Sequence, residues 1–329
     1  MMPDTVGQRS KRSREFNRMT IQLRKAERRK AKLRIGMSGP SGSGKTFSAL
    51  LLAKGITGGS LDKVAIIDTE NGSADMYSHL GEFNVIRLEA PYTPERYIEA
   101  IDACVQAGME VVIIDSVSHE WDGKGGLLES NELLGQSKFK GNNWAAWSVT
   151  TPRHQRFIES ITTAKVHIIT TARSKTDTIQ TEDKKIKKVG LKEIQREGFE
   201  YELTLNFNID RDGHYATVSK DRTNLFDKID PFKITEETGK TLLDWAETGK
   251  EDTEAADLEK QKNLLAKKSK INQQMKKLGV ILTKENANLM VKKMVDLDLV
   301  DENLDEISSR LEIMIGEKAD NDKNTNPEK

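Results

Sequence analysis

Apolar positions along the chain fall into two alternating kinds of segment, and the alternation predicts the architecture. Short runs with little polar interruption read as strands over 33–38, Val64 to Ile67, Val85 to Leu88, Glu110 to Ile114 and Lys165 to Thr171. The run Val111 to Ile114 is apolar at every position, which suits a strand covered on both faces at the centre of a parallel sheet. Between the strands lie helix signals. Thr93-Pro94 sets a capping hydroxyl before a proline and predicts a helix ending at Gly108; Thr151-Pro152 predicts another, to about Thr163. Strands alternating with helices predict an α/β fold with a doubly wound, mostly parallel sheet and a ligand site at the carboxyl ends of its strands. Tyr201 to Ile209 and His214 to Ser219 alternate apolar and polar residues around Asp212-Gly213, which predicts a β-hairpin extension.

After residue 248 the pattern changes. Residues 249–257 read as an acidic linker, and 258–316 as a helical C-terminal module with apolar positions at Leu258, Leu264, Leu265, Ile271, Met275 and Leu278. Further helices are expected over 283–295 and 304–315, and 317–329 reads as a disordered polar tail. Residues 1–32 form a basic N-terminal arm, expected to be a basic helix or a docking arm, ahead of a core spanning 33–248.

Charge and composition narrow the classes. The 329 residues carry no formal net charge, yet basic residues dominate from Arg9 to Arg34 and the chain leans acidic after Asp301. The single cysteine, Cys104, excludes an intrachain disulfide framework or a cysteine-based zinc site. No apolar run approaches the roughly 18 residues of a membrane span, and no signal segment is evident, so a soluble cytoplasmic protein without a membrane partner is expected.

The candidate chemistry centres on Gly39-Pro40-Ser41-Gly42-Ser43-Gly44-Lys45-Thr46, which follows a strand and opens a helix. In that context the stretch reads as a P-loop: backbone amides and the helix N-terminus hold a phosphate chain, Lys45 reaches its outer phosphates and the Thr46 hydroxyl holds Mg²⁺. Asp115, ending a buried strand, is the candidate carboxylate of the metal shell. Glu70, at the end of another strand, is the candidate catalytic base, with Glu120 as its rival, and Asp68 either structures the loop or joins the metal shell. Thr170 is a candidate sensor of the terminal phosphate. Residues 173–192 read as a basic loop with Arg173, Lys175, Lys184, Lys185, Lys187 and Lys188. Lys220 and Arg222 follow the hairpin, placed either to stay on their own domain or to reach a neighbour's phosphates. Trp144 and Trp147 suit packing against the core.

With these residues the chain resembles the phage RecA-like P-loop nucleotide-binding proteins, a branch of the AAA-family ATPases. The resemblance covers about 33–248 and rests on Gly39 to Thr46, Ile66 to Glu70, Ile113 to Ser116, Thr170 to Lys175 and the hairpin ending in Lys220-Asp221-Arg222. It implies ATP and Mg²⁺ as cofactors, Glu70 activating water, Asp115 serving Mg²⁺, and Lys220 and Arg222 reaching the next subunit of a ring or filament. It further implies single-stranded DNA at 173–192, a single-strand-binding protein as partner, a role in phage recombination, annealing or repair, and a bacterial host cytosol. The sequence departs from recombinases in lacking a glutamine after the Val166–Thr171 strand, so Thr170 or Arg173 would substitute. The alternatives are a motor or loader in DNA replication or packaging, and a nucleotide-regulated protein-assembly module.

Overall fold

The computed structural model describes residues 25–180, 186–250, 253–283 and 286–324. Expectations for most of the basic arm, for Lys184 and Lys185 and for the last five residues lie outside the described residues. The chain divides into two compact units, Met1–Lys250 and Glu251–Lys329.

The first unit opens with β1 (Arg34–Gly39), α1 (Lys45–Ile56), β2 (Val64–Asp68), β3 (Asn84–Arg87), α2 (Pro94–Gln106) and β4 (Val111–Asp115). It continues through α3 (Ser118–Asp122), α4 (Leu127–Lys138), α5 (Asn143–Thr163), β5 (His167–Gln180), β6 (Ile186–Glu193), β7 (Leu205–Ile209), β8 (Ala216–Asp221) and α6 (Glu236–Glu247). The sheet order is β3-β2-β4-β5-β1-β7-β8, with β6 paired to β5. Strands β3 to β7 along this path are parallel, and β8 closes the edge antiparallel to β7. This is the doubly wound, mostly parallel sheet that the alternating pattern predicts, in the RecA-like P-loop architecture that the resemblance implies.

Strand periodicity sorts side chains between two cores. Leu33, Ile35 and Met37, with Ile66 and Ile113, face one layer shared with Leu50 and Ala53 of α1 and Leu242 of α6. Ala65, Ile67, Val112 and Ile114 face the other, filled by Tyr97 and Ile101 of α2 and Phe157 and Ile161 of α5. At the α1–α6 crossing Gly55 and Gly239 bring two backbones together: a Cβ on Gly239 would lie 2.3 Å from the Leu52 carbonyl oxygen. The Arg34 guanidinium is buried and ties β1 to the turn before β5 by donating to the carbonyls of Leu33, Thr162, Ala164 and Val166.

Several expectations change. The second long helix begins at Asn143, not Thr151; Asn142 caps it by accepting from Ala145 N at 3.0 Å, and Pro152 lies inside. The buried stripe Ala146, Thr150, His154, Phe157 and Ile161 runs straight through Pro152, so packing outweighs the one backbone hydrogen bond that proline forgoes. The glycine-rich stretch before it contains α4. Trp147 packs as expected, stacked 5.9 Å from Trp121, whereas Trp144 is 86% exposed. The basic stretch is not a loop: β5 runs on past the sheet and pairs with β6 as an antiparallel ribbon, with Ser174 opposite Glu193. Residues 25–32 form no helix; Arg29 bridges to Lys250.

The second unit holds α7 (Thr253–Lys277), α8 (Ala287–Val295) and α9 (Leu304–Asn324) around Ile271, Met275, Val291, Ile307 and Leu311. Helix α7 therefore starts inside the stretch read as linker, and α9 runs into the stretch read as a disordered tail.

Candidate active site

The loop after β1 turns through Gly42 and Gly44, at φ +80° and +85°, a left-handed region that glycine enters without steric cost. The turn aims the amino end of α1 at the space above the sheet, where the helix dipole and free amides favour an anion. Lys45 folds back onto the loop, its Nζ donating to the Gly39 and Pro40 carbonyls at 2.9 and 3.0 Å. Burial pulls the Lys45 ammonium below its ordinary pKa, while Asp115 and Glu70 act in the opposite direction.

Asp115 ends β4 and is buried. Its Oδ2 accepts from Thr46 Oγ1 at 2.5 Å, and its Oδ1 accepts from Thr171 Oγ1. Burial raises the Asp115 carboxyl above the ordinary carboxylate range, and the two hydroxyls hold it down in part. The hydroxyl that sits here is thus Thr171, not the expected Thr170. Strand alternation turns Thr170 to the opposite face of the sheet from Thr171, where its Oγ1 reaches the Ile35 carbonyl at 3.4 Å. The parallel register of β4 and β5 sets Asp115 beside Thr171.

Glu70 follows β2 on a braced loop. Asp68 accepts from Glu70 N at 2.6 Å and from Ala74 N at 3.1 Å, so its two oxygens shape the loop. Thr69 Oγ1 spans to Asp115 O at 3.2 Å and to His119 Nδ1 at 2.7 Å, and His119 stacks on Tyr92 at 4.9 Å. The Glu70 carboxylate meets Arg173 in a bidentate pair, Nε to Oε1 at 2.8 Å and Nη2 to Oε2, with Ser116 Oγ donating to Oε1 at 3.3 Å. Burial pushes the Glu70 carboxyl up, but Arg173, His119 and Ser116 outweigh it and the net direction is down.

These side chains line one cavity of about 220 Å³: Lys45, Thr46, Glu70, Asp115, Tyr77 and Arg173, with the loop backbone as its wall. A second cavity, of about 410 Å³, shares Gly42, Gly44 and Tyr77 and is walled by Phe47, His214 and Ile234. His214 reaches the phosphate loop from the β7–β8 turn, its Nδ1 3.0 Å from the Ser43 carbonyl. The first cavity has the size and lining for a phosphate chain. The second carries the aromatic rings of Phe47, Tyr77 and His214, which suits a base.

Other expected site residues lie elsewhere. Glu120 is fully buried against His154 Nδ1 at 3.1 Å and Gln195 Nε2 at 3.4 Å, and it lines neither cavity, which removes it as rival base. Lys220 and Arg222 do not join their own chain's site. Lys220 pairs opposite Asn206, itself opposite Gly36, toward the amino end of β1, and both cations donate to the Tyr201 carbonyl. Tyr77 and His214 were not legible as site residues: one sits in the 3₁₀ helix Ser73–Leu80 and the other in the β7–β8 connection, and neither breaks a period.

The oxygen-only pair of Thr46 and Asp115 fits magnesium, which takes protein oxygens together with phosphate and water. Among the described residues no helix is long and apolar enough to cross a membrane. A family model described as AAA domain matches residues 31–250. No curated protein matches the chain.

Proposed function

Because the chain belongs to the AAA-domain family, a class that binds and hydrolyses ATP, we propose that it is a magnesium-dependent ATPase of DNA recombination, single-strand annealing or repair. The observation that carries the ATPase part is the convergence of Lys45, Thr46, Asp115 and Glu70 on one phosphate-sized cavity. Lys45 exchanges its loop carbonyls for the outer phosphate oxygens, and the loop amides hold the rest of the chain. Thr46 and Asp115 would hold Mg²⁺, which when bound would neutralise charge on the phosphates. Glu70 takes a proton from water as the water oxygen attacks the terminal phosphorus, and the bond to the bridging oxygen breaks with its electron pair leaving on ADP. Phe47, Tyr77 and His214 line the cavity that would take the base.

Two features favour a nucleic-acid partner. The ribbon of β5 and β6 leaves the sheet beside the ATP cavity, and its sequence carries Lys175, Lys187, Lys188 and Lys192. Arg173, which lines the cavity, is the residue before the ribbon pairing begins. Lys220 and Arg222, remote from their own site, are assigned to a neighbour's phosphates in a homo-oligomeric ring or filament. The test is phosphate release and assembly size measured with and without single-stranded DNA. Stimulation together with growth of the assembly supports the reading. Turnover indifferent to DNA would remove the recombination role and leave the protein-assembly alternative.

A further inference from the structure

The Glu70 carboxylate is occupied by its own neighbours. Both oxygens of the candidate base are engaged, Oε1 by Arg173 Nε and Ser116 Oγ, Oε2 by Arg173 Nη2. A carboxylate held this way faces its proton-accepting lone pairs toward a cation, not toward a water. Yet the same guanidinium lines the cavity that Lys45 and Thr46 line. A terminal phosphate presents the same two-oxygen edge that a carboxylate presents to a guanidinium fork, with more negative charge.

The backbone around Arg173 is fixed on both sides. Its N–H donates to Ser118 Oγ at 2.9 Å, and its carbonyl accepts from Ile194 N at 2.7 Å. The side chain, by contrast, is 44% exposed. The guanidinium can therefore change partners by rotating its own side chain while the strand stays in place. Among the described residues no other cation hydrogen-bonds Glu70, so moving Arg173 frees both oxygens except for the Ser116 hydroxyl.

We propose that Arg173 is a latch on the base: it holds Glu70 when no nucleotide is bound and transfers to the terminal phosphate of ATP, releasing Glu70 to the attacking water. This rests on the ATPase reading and adds to it that the chain discriminates ATP from ADP through Arg173, in cis. ADP lacks the group that competes for the guanidinium, so the latch stays closed around ADP. Hydrolysis is thereby confined to the state in which a terminal phosphate is present.

The test is equilibrium binding of ADP and of a non-hydrolysable ATP analogue, both with Mg²⁺, to the full chain. Arg173→Gln is expected to weaken the analogue about tenfold or more while changing ADP by less than about threefold, because only the analogue forfeits a charged hydrogen bond. Arg173→Lys keeps the charge without the fork and should recover part of the preference. Glu70→Gln removes the competing carboxylate and should tighten the analogue, and that gain should vanish in the double variant with Arg173→Gln. Equal weakening of both nucleotides, no weakening of either, or a Glu70→Gln gain that survives loss of Arg173 would each overturn the latch while leaving the ATP site in place. A wild-type chain that binds neither nucleotide would instead overturn the ATPase reading, and the latch with it.

Discussion

At Asp115 two hydroxyls meet, and one of them, Thr171, is not the one a linear reading favours. Thr171 and Thr46 each donate to one oxygen of a buried carboxylate, and Thr170, one residue away, is turned to the opposite face of the sheet. Thr171→Val leaves a buried Asp115 oxygen unpaired, a cost of about 1–3 kcal/mol, and should raise the Mg²⁺ needed for half-maximal turnover. Thr170→Val removes only a long hydrogen bond to Ile35 O and should leave that requirement unchanged; a magnesium titration of turnover separates the two. The loop, Glu70 and Asp115 were legible because each has a fixed place relative to a strand end. Thr171 was hidden because its importance depends on the β4–β5 register; Arg173 was legible as a stand-in for the recombinase glutamine, but its pairing with Glu70 was not, because the two lie 103 positions apart.

At the scale of elements, the α1–α6 crossing couples the phosphate loop to the end of the domain. Gly239 meets the Leu52 carbonyl and Gly55 so closely that a methyl group cannot enter without parting the helices. Gly239→Ala should cost about 1–3 kcal/mol. It should lower the melting temperature by roughly 3–10 °C, read by thermal unfolding. Element existence followed from the sequence wherever the period was long or the strand wholly apolar, as in β1, β2, β4 and α2. It failed where two local signals conflicted. Thr151-Pro152 looks like a helix start, and only the stripe from Ala146 to Ile161 shows that it is not. The ribbon was read as a loop because its alternation carries lysines where a sheet strand would carry apolar residues.

Across the whole molecule, acid should expose a histidine that the fold keeps neutral. His167 is buried at the start of β5, where its Nδ1 accepts from Leu33 N at 3.2 Å. Burial, then Lys32 and Arg34, lower its pKa to about 3. The unfolded chain, with an ordinary value near 6.5, binds a proton that the folded chain refuses. This contribution is complete above pH 6.5 and is lost as pH falls from there toward about 3, at up to about 1.4 kcal/mol per pH unit. Denaturant unfolding from pH 7 to pH 4 should show that loss, and His167→Asn should flatten it; an unchanged slope in the variant would place the acid sensitivity elsewhere. No periodicity marks His167 in the sequence, since its environment is assembled from β1 and β5.

The chemistry assigned to this molecule depends most directly on Glu70 as the base of an ATPase. The decisive measurement is phosphate release at saturating ATP and Mg²⁺ by wild type and Glu70→Gln, with bound nucleotide quantified in both. The variant should keep its nucleotide and lose about 10²–10⁴-fold in turnover, the range of a positioned general base. A variant that binds ATP and hydrolyses it at the wild-type rate would contradict the assignment of Glu70 and the site built around it.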